Sequence, residues 1–187
     1  MTDSGQLLAA LLAGAAALAL IGWLTPLPRF AMTLAVAMLG AAWLVSALSD
    51  VLALSDRERV AVVAGAGLLA LAGGGPLTTV VFDLVDRPGE SVTTSLAGAA
   101  EVLRGGAWIG ALERIAAYAA VLAGWPEGLA IVLALKGLGR YPELRAPEGA
   151  TKDGRIGHPA ATERFIIGTF TSVLWALACA GVVVLSI

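Results

Sequence analysis

Long apolar runs separated by short polar stretches dominate the chain. Residues 6–24 form the first run, and Thr25-Pro26-Leu27-Pro28-Arg29 closes it because its prolines forbid helix continuation. Residues 30–48 form the second. A polar connector follows over 49–59, with Asp50, Asp56, Arg57, Glu58 and Arg59, and suits a membrane interface. The third run, 60–85, contains Gly73-Gly74-Gly75-Pro76 and then Thr78, Thr79, Asp83 and, just past its end, Asp86. A triple glycine before proline predicts a broken or kinked helix at that point.

Residues 87–104 are mixed in polarity, and 96–103 can form a short amphipathic entry to the next run. The fourth run is 105–124. Trp125-Pro126-Glu127-Gly128 then turns tightly into a fifth, 129–141, which is short for a bilayer. Residues 142–161, rich in proline, glycine and charge, read as a solvated loop, and 162–187 form the sixth run.

Backbone polar groups in lipid must be satisfied within the segment, and apolar runs without period-two alternation select helices over a barrel. The expected fold class is therefore all-α integral membrane, a polytopic bundle of about six transmembrane helices with the third broken at 73–76. It is expected to be a single transmembrane domain, with 1–104 as a three-span layer and 105–187 as a three-span charged unit.

Composition agrees with that pattern. Hydrophobic residues make up 58% and charged residues 14%, against roughly 25% charged in soluble domains. A formal net charge of −2 without a basic cluster gives no reason to expect nucleic acid as a partner. The only cysteine, Cys179, excludes an intrachain disulfide, and the only histidine, His158, excludes a multi-histidine metal site. No cofactor is expected. The first residues lack the basic character of a secretory signal, so the first run is expected to remain as a span.

Lys and Arg fall unevenly on alternate connectors. Arg29, Arg87, Arg104, Arg140, Arg145, Lys152, Arg155 and Arg164 lie on one side, and Arg57 and Arg59 on the other. That bias predicts a cytoplasmic 142–161 loop with both termini outside.

The richest chemistry lies where Glu113 and Arg114 enter an otherwise apolar run. Each such charge costs about 2.5–3.5 kcal/mol at the centre of an inserted helix, so partners are expected. Gly106, Gly110, Glu113, Ala117, Ala120 and Gly124 share one face of small residues, which turns Glu113 toward protein. Arg114, about 100° away, is expected to take a separate partner or to snorkel toward the cytoplasmic headgroups. Lys136 and Arg140 share a face of the fifth helix, and Glu163 and Arg164 begin the sixth at the same end. The expected pairs are Glu113 with Lys136 and Glu163 with Arg140. Such pairs either only lock three helices together or form a site for an ion, proton or anionic ligand.

Thr162, Thr169, Ser172, Ala176 and Ala180 make a second stripe, suited to packing or to hydroxyls along a water path. Thr78 and Thr79, after the expected break, suggest a substrate or ion site built on freed backbone groups, or a kink that neighbouring helices accommodate. Asp83 and Asp86 are either a weak cation pair or solvated acids at a helix end. No nucleophile elbow, phosphate-binding loop or zinc spacing is present.

Three motifs, Trp108-Ile109-Gly110-Ala111-Leu112-Glu113-Arg114, Ala134-Leu135-Lys136-Gly137-Leu138-Gly139-Arg140-Tyr141 and Glu163-Arg164-Phe165-Ile166-Ile167-Gly168-Thr169, give the second half a likeness. Over about residues 105–178 it resembles an uncharacterised family of small bacterial multispanning membrane proteins. Related domains carry serine after the lysine and an aromatic after the last glutamate, where this chain has Gly137 and Arg164. The resemblance implies that Glu113, Arg114, Lys136, Arg140 and Glu163 belong to one unit, and it implies no activity.

The expected function is a small channel or transporter for an ion or small polar solute in the bacterial inner membrane, working as a homo-oligomer. The competing readings are a non-transporting subunit that docks a protein partner through 142–161 and, third, an intramembrane lipid-modifying enzyme using Glu113 or Asp83 and Asp86.

Overall fold

A computed structural model of the chain describes residues 3–25, 28–48, 54–85, 96–144 and 158–187, with the side chains of 3, 28, 96–107, 140–144 and 158–162 outside the description. Every regular element among them is helical. The six helices are α1 (Asp3–Leu24), α2 (Pro28–Leu48), α3 (Asp56–Val85), α4 (Leu96–Leu122), α5 (Pro126–Leu144) and α6 (His158–Ser186). Four of these, α1, α2, α3 and α6, are long and apolar enough to cross a membrane.

Local chemistry sets the helix ends. Ser55 starts α3: its Oγ accepts from the Glu58 N–H at 3.4 Å, and Glu58 Oε2 accepts from the Ser55 N–H at 2.9 Å and from Ser55 Oγ at 2.7 Å. This is a reciprocal capping box that satisfies otherwise orphaned donors. At the end of α4, Gly124 adopts φ 63°. Its N–H bonds to Val121 O and the Trp125 N–H reaches Ala120 O. This Schellman closure needs a left-handed residue, and Pro126 then opens α5 without wasting a donor.

Two expectations about elements need correction. The stretch 96–103 is not a turn or two ahead of the fourth helix but is continuous with it. More consequentially, α3 runs unbroken through Gly73-Gly74-Gly75-Pro76. Pro76 has no N–H for the carbonyl of Ala72, its i−4 residue, but Trp23 Nε1 from α1 donates to that oxygen at 2.8 Å. A neighbouring helix thus satisfies the group that the proline frees, which is how helices tolerate an internal proline away from water.

The helix α3 is also the hub of the bundle, packing on α1, α6 and α4 and, to a lesser extent, on α2. Small side chains make this close packing possible: Ala15, Ala19, Ala35, Ala66, Ala70, Ala117, Ala176 and Ala180 are all fully buried. Leu8, Leu12, Val62, Leu69 and Val183 fill the spaces between them. By contrast, α5 packs on α4, and among its described side chains Leu129 alone packs against the core. Large apolar side chains such as Leu44, Leu68, Leu112, Leu135 and Phe170 point outward. An apolar core inside an apolar exterior suits a bundle whose solvent is lipid.

Candidate functional site

The tight turn at Gly124 folds α4 and α5 into an antiparallel hairpin, with Glu113 and Lys136 at nearly equal sequence distances on either side. The geometry therefore brings them opposite each other. Lys136 Nζ donates to Glu113 Oε2, and the two side chains keep only 19% and 13% of their exposure. The expected partner of Glu113 is thus the observed one. Arg140 lies outside the described side chains, so the expected pair with Glu163 does too. Glu163 is exposed at the start of α6, and Arg164 beside it places its guanidinium 5.5 Å from the centre of the Phe82 ring.

Arg114 does not snorkel. It is 6% exposed and turns inward, toward the midpoints of α3 and α6. Its Nε and Nη2 donate to Leu71 O at 3.2 and 2.9 Å, and Nη1 donates to Ser172 Oγ at 3.2 Å. The reason lies in the triple glycine. A Cβ on Gly74 would collide with Arg114 Cδ, and one on Gly75 would collide with the Trp23 ring. At Gly73 it would stand 2.6 Å from the Trp175 indole, whose Nε1 donates to Leu69 O at 3.0 Å. Trp23, Arg114 and Trp175, from three different helices, therefore lie directly on the α3 backbone and bond to three of its carbonyls, those of Ala72, Leu71 and Leu69.

The same device recurs elsewhere in the bundle. Tyr118 OH donates to Val63 O at 2.7 Å, and Trp43 Nε1 donates to Ala178 O at 2.9 Å. Polar aromatic atoms find partners when buried, and here the partners are helix carbonyls able to accept a second bond.

The hydroxyls divide into two groups. Thr78 Oγ1 donates to Gly74 O at 2.7 Å and Thr79 Oγ1 to Gly75 O at 3.3 Å, each back to its own i−4 carbonyl. Ser172 is buried beside Arg114, and Ala176 and Ala180 continue its stripe into the packed core. Thr169 Oγ1 is buried with no hydrogen-bond partner. Thr162 lies outside the described side chains. Asp83 pairs with Arg29 at 3.3 Å on the exposed rim between α2 and α3, and Asp86 is outside the described residues.

Among the described residues, no group of three or more His, Cys, Asp or Glu could hold a metal ion. The arrangement therefore offers one ion pair at the α4–α5 contact, one guanidinium buried at the junction of α3, α4 and α6, and hydroxyls beside it. Sequence reasoning did not anticipate Trp23 and Trp175 as donors, although the unusual depth of Trp175 within the last apolar run was the available signal. The chain matches no family model, no curated protein and no solved structure.

Proposed function

We propose that the chain is a multi-pass protein of the bacterial cytoplasmic membrane that moves an ion or small polar solute, with the 142–161 loop on the cytoplasmic side. Four helices of membrane-spanning length and an apolar exterior support insertion. The Arg and Lys bias supports the orientation. The observation that carries the transport reading is Arg114, a charged residue only 6% exposed where three helices meet, with the Glu113–Lys136 pair one residue away on α4. Charges at this depth are costly, and they characteristically mark substrate or ion pathways.

A second reading is favoured by a specific observation of its own. Arg114 bonds to an α3 carbonyl, and both threonines after Pro76 are engaged with their own helix. Polar groups used in this way lock helices together, as they would in a non-transporting subunit whose 142–161 loop docks a protein partner. Flux separates the two. Purified protein in proteoliposomes should move at least one small ion or polar solute faster than empty liposomes do. Rates equal to empty liposomes across cations, anions and neutral solutes would favour the subunit.

A further inference from the structure

Arg114 has five N–H donors, and three of them are engaged, two by Leu71 O and one by Ser172 Oγ. No carboxylate neutralises it among the described residues. Glu113 is held by Lys136, Asp83 by Arg29, and Glu58 by the cap at Ser55, while Asp56, Glu127 and Glu163 are exposed. Among the described residues a net positive charge is therefore left inside the apolar bundle, where an uncompensated ion is expensive.

Its bonded partners, Leu71 O and Ser172 Oγ, accept from it, but two hydroxyls on α6 have protons left to donate. Ser172 Oγ accepts from Arg114, which leaves its own proton to give. Thr169 is three residues earlier on α6, hence on the same side of the helix, and its buried Oγ1 has no partner. Gly74 and Gly110 lie against the guanidinium without a Cβ, which keeps the surroundings tight and favours a small guest.

We infer that Arg114, Ser172 and Thr169 form a binding site for a small monovalent inorganic anion, such as a halide or nitrate, at the junction of α3, α4 and α6. This inference rests on the transport reading above and names the class of solute. The two spare guanidinium protons and the two hydroxyl protons supply the hydrogen bonds, and the anion cancels the buried charge.

The test uses the full chain in detergent at constant ionic strength, with gluconate replaced by chloride, bromide or nitrate. Binding to the folded state raises Tm, and a shift of about 3–6 °C is expected when the anion is about tenfold above its Kd. The double variant Ser172→Ala, Thr169→Val leaves Arg114 in place and should fold, with at least half of that shift lost. Equal Tm in gluconate and in all three small anions, or a full shift in the double variant, overturns the inference. Proteoliposome flux separates it from the reading beneath it. Cation or neutral-solute flux without any anion-dependent Tm shift leaves transport standing and removes the anion site. An anion-dependent shift that the double variant loses, with no flux of any solute, keeps the site and removes transport.

Discussion

At the scale of single residues, Glu113 and Arg114 show how neighbours in sequence acquire different fates. A rotation of about 100° on α4 separates them, and one meets α5 while the other meets α3 and α6. Arg114 bridges two acceptors with a planar fork, so Arg114→Lys, which keeps the charge as a single point, should lower stability by about 1–3 kcal/mol. Denaturant unfolding in detergent checks this, and a lysine variant as stable as the parent would contradict the bridging role. The Glu113–Lys136 partnership was legible because the Trp125-Pro126 turn sets the register of the hairpin. The destination of Arg114 was not. It depends on the gap that Gly74 leaves on a different helix, and no periodicity within α4 reports that gap.

At the scale of elements, α3 carries the argument. Local rules give its triple glycine and proline a breaking tendency, and tertiary contacts override it. Trp23 supplies the donor that Pro76 lacks, so the two residues should be coupled. Trp23→Phe should cost about 1 kcal/mol in the parent and measurably less once Pro76→Ala restores an N–H for Ala72 O. A double-mutant cycle showing no coupling would mean that the Trp23 bond does not compensate for the proline. Gly73→Ala should destabilise by about 1–3 kcal/mol, since its Cβ would press on the Trp175 ring, which is tied to Leu69 O. At the α4–α5 turn, Gly124→Ala should cost about 1–2 kcal/mol because an L side chain resists positive φ. The number of helices and most of their boundaries could be read from the apolar runs. The continuity of α3 could not, because its partners are brought in by other helices.

At the scale of the whole molecule, five helices share one small-residue core and α5 lies against α4 at its edge, joined by a tight turn and an ion pair. Among the described residues most charges are exposed, and Glu113, Arg114 and Lys136 stand apart because they lie where helices meet. The central claim is that these charges serve solute movement as well as packing. The measurement that tests it most directly is flux through proteoliposomes containing the unmodified chain, Glu113→Gln, or the double variant Glu113→Gln, Lys136→Met, each shown by its unfolding profile to be folded. The account predicts solute flux in the unmodified chain and at least a tenfold loss in the folded variants, equivalent to about 1.4 kcal/mol in the barrier. Full flux in both folded variants would contradict it and leave the ion pair as a clasp between α4 and α5.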